Sequence, residues 1–358
     1  MIQKLLLLLL LVCIGCSETT KEPQTFTAQN DAYQYSGRIE KINDTAVALI
    51  NSGASVKMKV SGDSVQIFLS GENEQPLFAN IELNGSYLGR FRTDEAIKID
   101  LPDSVSNNAL GIYKATEATT GTLYFHGIAA EEVSTPEIED RPKIEFIGNS
   151  ITCGMGADTE EYPCDTGEWY FQHNAYLAYG PRVARALNTD FELSCVSGMG
   201  MYRNWNDEDQ PVMPDVYENL YLNNDNSKKA KFEEAPEVVS IALGTNDLSL
   251  GDGEKARADF DQEKFTSNYK KFVKMIFQKY PGVKIALLTS PMVSGENNEI
   301  LLESLQNVKE NFPEKEINIF EFDAVTPHGC GYHPDIEDHE LMAEQLIPFF
   351  KELLQNNS

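Results

Sequence analysis

Four residues have the types that acyl transfer needs: Ser150 in "IGNSIT", Gly198 in "VSGMG", Asn246 in "LGTND" and His333 in "GYHPD". A hydroxyl attacks, an imidazole takes its proton, and N–H donors meet the charge that develops on the carbonyl oxygen. The first three follow short apolar runs at glycine-marked turns, and His333 stands just before the last helical pattern. Taken singly, each has an ordinary reading. Ser150 would cap a helix, Gly198 would relieve a turn, and Asn246 would cap the segment after it. Their order along the chain favours the catalytic reading. A literal "GDS" at Gly62, Asp63 and Ser64 competes for the nucleophile. It joins two alternating runs, "SVKMKV" and "SVQIFL", and so reads as a hairpin tip.

The elements that would position these residues change character along the chain. Residues 31–137 carry short alternating strands with turn signals such as Asn84-Gly85, the pattern of an all-β sandwich. A charged, Pro-containing stretch, "STPEIEDRP", separates them from a second unit over residues 138–355. There strand patterns such as "KIEFIG", "PEVVSIALG" and "VKIALLT" alternate with amphipathic helices, among them "FTSNYKKFVKMIFQKY" and the closing "DHELMAEQLIPFFKELL". Alternation of this kind predicts a parallel sheet with right-handed crossovers, an α/β fold that binds ligands at the carboxyl ends of its strands. All four candidate residues fall at that edge.

The chain has 358 residues, enough for two cores, and a formal net charge of −27 from 29 basic and 56 acidic side chains. That charge repels phosphate backbones and anionic membrane surfaces, which argues against nucleic acid as a partner and mildly for a neutral substrate. Lys4 and the leucine run after it have the layout of a signal peptide and are too short to span a bilayer. The run ends at Gly15-Cys16 and resembles the lipobox of bacterial lipoproteins. The resemblance implies a signal peptide over residues 1–16, lipidation of Cys16, and an exported protein held only by that anchor at the outer membrane. Residues 17–30 then read as a tether. Four cysteines remain beyond it, Cys153, Cys164, Cys195 and Cys330, and three full pairings are open. None has zinc-site spacing, and no phosphate or dinucleotide loop is present, so neither a metal nor an organic cofactor is expected.

"GNSIT", "SGMG", "GTND" and "HPD" resemble the blocks of the SGNH (GDSL-type) hydrolases. With a β-sandwich ahead of them, and "GNSITCG", "SGMGMYRNW" and "GCGYHPD" within them, the chain resembles carbohydrate esterase family 2. The resemblance implies a jelly-roll sandwich before a flavodoxin-like three-layer domain. It also implies removal of O-acetyl groups from polysaccharide of the xylan or glucomannan type. By the same route Ser150 is the nucleophile and His333 the base. The N–H groups of Ser150 and Gly198 and the amide of Asn246 form the oxyanion hole. A lipid or thioester hydrolase of the same fold, and a carbohydrate-binding lipoprotein with a decayed site, are the alternatives.

One position departs from the pattern. SGNH hydrolases commonly carry an Asp three residues before the histidine, where this chain has Cys330. A Ser150–His333 dyad is therefore expected, with a main-chain carbonyl near Gly331 or Tyr332 orienting the ring, ahead of Asp335 or Glu337. Tyr202, Asn204, Trp205 and Trp169 could supply an aromatic platform for sugar or a small packed cluster. Asp247 reads as a brace for the Asn246 loop. His339 reads as a packing residue, and His126, His173 and His328 have no chemical context in the sequence.

Overall fold

A computed structural model describes residues 22–102, 104–137, 139–208 and 211–355. The leucine-rich segment and Cys16 lie outside the described residues. No helix among the described residues is long and apolar enough to cross a membrane.

The first unit is a sandwich of two antiparallel sheets. One runs Ile39–Asn43, Ala46–Leu49, Leu123–Ala130, Ser64–Gly71, Ile97–Asp100. The other runs Glu132–Ser134, Ser55–Ser61, Asn108–Lys114, Phe78–Leu83, Ser86–Arg92. Alternation places Val56, Met58 and Val60 inward from one sheet and Val65, Ile67 and Leu69 from the other, all in one apolar core. Ser64 opens a strand at a hairpin and is no part of a site. The tether assigned to residues 17–30 is too long. Gln24–Thr27 is a strand, paired antiparallel with Leu123–Ala130 so that Phe26 lies opposite Ile128. "QTFT" carries a single apolar residue on a largely exposed edge, so its strand character has no periodic signal.

The second unit is a five-stranded parallel sheet in the order Asp190–Cys195, Lys143–Gly148, Val238–Ala242, Lys284–Leu288, Ile317–Phe320. Its three central strands are buried on both faces. Ile144, Phe146, Val238, Ala286 and Leu288 pack with Tyr179–Leu187 and Ile336–Gln355 on one side. Ile147, Val239, Ile241, Ile285 and Leu287 pack with Gln262–Lys279 and Glu296–Glu310 on the other. The chain enters at the Lys143–Gly148 strand and later strands lie on both sides of it. The crevice at its carboxyl end is therefore the topological switch point where such folds bind ligands.

The two units meet through buried polar groups. Arg38 of the sandwich donates to Asn219 O at 2.9 Å, Tyr217 O at 2.9 Å and Ser194 Oγ at 3.2 Å. Asn51 Nδ2 donates to Leu193 O at 2.7 Å, and Arg90 Nη1 to His173 O at 2.9 Å. Beneath Arg38, Glu145 accepts from Ser194 Oγ at 2.7 Å and from Tyr217 Oη at 2.9 Å. Burial pushes its pKa up to about 7, against the pull of Arg38 and these bonds. Arg38→Ala would strand three acceptors and leave Glu145 without its cation. The expected loss is about 3 kcal/mol of unfolding free energy, read from urea denaturation. A variant as stable as the parent would remove Arg38 from the forces holding the seam.

Candidate active site

The Lys143–Gly148 strand ends in a turn whose cap is Asn149, because its Oδ1 accepts from Ile151 N at 3.1 Å. Ser150 is thereby released from capping. Its hydroxyl, buried at the floor of a cleft, lies 2.7 Å from His333 Nε2. The other ring nitrogen, Nδ1, is 2.8 Å from Gly331 O. A carbonyl only accepts, so Nδ1 carries the proton, Nε2 presents its lone pair, and Ser150 donates to it. Gly331 and Tyr332 both take left-handed backbone, φ 61° and 60°, which folds that carbonyl back toward the ring. Burial holds His333 below the ordinary histidine value, opposed by the carbonyl bond from Gly331. Asp335 is not the orienting group. Its Oδ1 accepts from Asp338 N at 2.9 Å, at the start of the closing helix.

Gly198 and Asn246 complete the floor. Gly198 sits at φ 78°, and a Cβ there would stand 2.8 Å from Trp205 Cδ1, so both backbone and space require glycine. Asn246 Nδ2 donates to Met199 O at 2.8 Å, which fixes the amide against the Gly198 loop. Asp247 braces that loop, since its carboxylate accepts from Met201, Tyr202 and Arg203 N at 2.8–3.2 Å. Burial still raises its pKa to about 6. These groups open into a cleft of about 570 Å³ that holds Ser150, Gly198, Asn246 and His333 together.

The aromatic candidates separate. Trp169 and Trp205 are 48% and 43% exposed and line the cleft. Tyr202 does not belong with them. It is 8% exposed, packs on Phe260 and Phe265, and accepts from Asp261 N at 3.0 Å. Asn204 is a turn brace, donating to Pro211 O at 3.1 Å and accepting from Gly200 N at 3.3 Å. His339 is buried and accepts from Tyr179 N at 3.3 Å, while burial pushes its pKa down to about 3. His328, Asp335 and Asp338 offer ligand atoms within 4.8 Å of one another. They form a cap in which the carboxylates already accept from backbone N–H groups and from His328.

Two features beside the site had no signature in the sequence. Glu117 of the sandwich is buried against Ser197, next to Gly198, and His173 is buried 3.9 Å from Glu117. The cysteines pair as Cys153–Cys195 and Cys164–Cys330. The first bridge ties the Ser150 helix to the strand that leads into Gly198. The second takes Cys330, in the expected acid position, and ties the His333 loop to residue 164.

Comparison with known proteins assigns both units of the chain to described families. Residues 146–314 match the GDSL-like Lipase/Acylhydrolase family, and residues 35–136 match the carbohydrate esterase 2 N-terminal family. The chain is 30% identical over 264 residues to an acetylxylan esterase/glucomannan deacetylase of Cellvibrio japonicus, covering 70% of this chain and 71% of that protein. It is 27% identical over 348 residues to the cellulase/esterase CelE of Acetivibrio thermocellus, covering 93% of this chain but only 41% of that relative's length. A family two carbohydrate esterase from Clostridium thermocellum, solved in complex with cellohexaose, superposes with a TM-score of 0.78 at 25% identity. That match covers 90% of this chain and 99% of the solved one.

Cys164→Ser/Cys330→Ser would free the His333 loop while leaving the sheet intact. Turnover of an aryl acetate is expected to fall about 10- to 100-fold with unchanged far-UV dichroism, because small displacements of a catalytic group cost that much. Full turnover by the double variant would show that the loop holds its geometry without the bridge.

Proposed function

The chain belongs to carbohydrate esterase family 2, and on that premise we propose that it is a serine esterase that removes O-acetyl groups from polysaccharide. The observation that carries the proposal is the 2.7 Å approach of Ser150 Oγ to His333 Nε2, with Nδ1 held by the Gly331 carbonyl. Ser150 attacks the acetyl carbonyl as its proton passes to Nε2. The N–H groups of Ser150 and Gly198 and the amide of Asn246 stabilise the oxyanion. Collapse returns the proton from Nε2 to the departing sugar oxygen. His333 then takes a proton from water as it attacks the acetyl-enzyme. A second collapse breaks the Ser150 Oγ–acetyl bond, returns that proton from Nε2 to Ser150 and releases acetate. The Gly331 carbonyl fixes the tautomer and offers the imidazolium a dipole in place of a full charge. A Ser–His dyad is the working unit.

Trp169 and Trp205 stand on the walls of the cleft, where flat apolar rings can receive sugar faces. The names of the Cellvibrio relatives favour acetylated xylan and glucomannan as substrates. Lipidation at Cys16 would hold the enzyme on an exported, membrane-anchored leash. The feature that favours a decayed, purely carbohydrate-binding site is Cys330 in place of the acid. Against it stand Ser150 and His333 in hydrogen-bond contact, and Cys330 itself forms a disulfide with Cys164.

Acetate release from acetylated xylan and acetylated glucomannan tests the proposal. Ser150→Ala is expected to lose about 10⁵- to 10⁶-fold in kcat. Asn246→Ala should lose about 10²-fold, the effect of one missing oxyanion donor. If wild type and Ser150→Ala behave alike on both polymers and on an aryl acetate, the esterase assignment falls.

The pH profile supplies a separate check. His333 acts only when neutral, and its pKa is lowered from the ordinary value of 6.5. The acid limb of kcat/KM should therefore lie below pH 6.5, with activity kept on moving from neutral to mildly acidic solution. A limb above that value would mean that the imidazolium is better stabilised than this site provides.

A further inference from the structure

Building on the esterase reading, we propose that Glu117, a residue of the sandwich, is a positioning residue for the oxyanion hole of the α/β domain. Glu117 lies in "KATEATT", between the strands Asn108–Lys114 and Leu123–Ala130, and is fully buried. Its carboxylate crosses the seam and accepts from Ser197 N, at 3.3 Å to Oε1 and 3.1 Å to Oε2. The Ser197 hydroxyl donates to Oε2 as well. Ser197 immediately precedes Gly198, so these bonds hold the residue whose carbonyl carbon carries the Gly198 N–H. Thr119 Oγ1 donates to Oε1 from within the same sandwich loop. The Glu117 main-chain oxygen accepts from the buried Lys114 Nζ at 2.8 Å, which anchors that loop from below.

The energetics give this arrangement meaning. A carboxylate wholly removed from water costs several kcal/mol unless donors compensate it, and a merely space-filling position would take an apolar residue. Burial alone would raise the pKa of Glu117. His173 and the Ser197 and Thr119 donors overcome that and hold it below the ordinary value, so the group is a fixed anion. Asp247 grips residues 201–203 of the same loop. Gly198 is thus suspended between two buried carboxylates, one from each unit of the chain. Asp247 stands in the "GTND" block. Glu117 stands in no motif.

The charge of Glu117 also reaches His333 and favours its protonated form. The other groups that act on that ring are the Gly331 and Cys330 main chain, His173, which opposes protonation, His339 and the Ser150 hydroxyl. Removing the negative charge at 117 should therefore lower the histidine's proton affinity.

The test compares wild type with Glu117→Gln on an aryl acetate. Gln keeps the shape but turns an NH₂ toward donors that need an acceptor. The expected result is a fall of about 10- to 100-fold in kcat with KM within about twofold, approaching the loss of one oxyanion donor. The acid limb of kcat/KM should also move to lower pH. Ser197→Ala, which removes the hydroxyl bond and keeps the amide, should lose severalfold in kcat, and the double variant should lose no more than Glu117→Gln alone. A role confined to holding the fold would lower thermal stability and leave kcat and the acid limb of the folded protein in place. Wild-type kcat and an unmoved limb in Glu117→Gln would overturn the proposal. Should Glu117→Gln fail to fold, wild-type kcat in Ser197→Ala would overturn it. An inactive wild type withdraws the esterase reading and this proposal with it, whereas an active wild type beside an unimpaired Glu117→Gln removes the proposal alone.

Discussion

The site depends on one distance, the 2.7 Å between Ser150 Oγ and His333 Nε2, which joins groups 183 residues apart. Neither group is held by its own element alone. Ser150 is placed by the end of a central strand and by Asn149, which takes over the capping bond. His333 hangs from an irregular loop whose restraints are the Gly331 carbonyl, the Cys164–Cys330 bridge and the bond from Cys330 N to Gly156 O at 2.9 Å. A triad acid would normally supply both an orienting bond and a charge. Here a carbonyl supplies the bond, and covalent and main-chain restraints supply the rigidity.

The stabilising donors raise the same problem in another form. A backbone N–H is useful to an oxyanion only if it does not reorganise when charge appears. The loop after Cys195 has little regular structure of its own. Its rigidity comes from buried carboxylates that accept from its backbone, at the desolvation cost such groups carry. Asp247 shows that cost in a pKa near 6, in spite of three successive backbone donors. The site thus concentrates buried charge where precision is needed and leaves the exposed tryptophan walls of the cleft to recognition.

Much of this was legible in the sequence because the signals are local. "FIGNS", "SGMG" and "GTND" each put a chemical residue within a few positions of a strand end, and the parallel topology brings strand ends together whatever the connections between them. What stayed hidden is set by distant pairing. Glu117 meets a partner 80 residues away, and nothing in "KATEATT" distinguishes it from a surface acid. Three disulfide pairings were equally open until the fold chose among them. Tyr202 and Trp205, three residues apart, are both aromatic, yet one packs on Phe260 and Phe265 while the other faces the cleft. Composition cannot separate them, because ring type says nothing of which side of a turn a ring takes. The strand Gln24–Thr27 escaped for a simpler reason, since one phenylalanine cannot define a period.

The polar seam between the two units has a bearing on descent. Transferable protein modules usually meet through modest surfaces that tolerate separation. Here the carbonyls of His173, Leu193, Tyr217 and Asn219 receive their donors from Arg90, Asn51 and Arg38 of the other unit. Cutting the chain at the linker would leave those acceptors, and the arginines opposite them, without partners. Recombination at that linker would therefore be purged more strongly than recombination outside the pair. The unit that evolution can move from one gene to another is the sandwich and the α/β domain together.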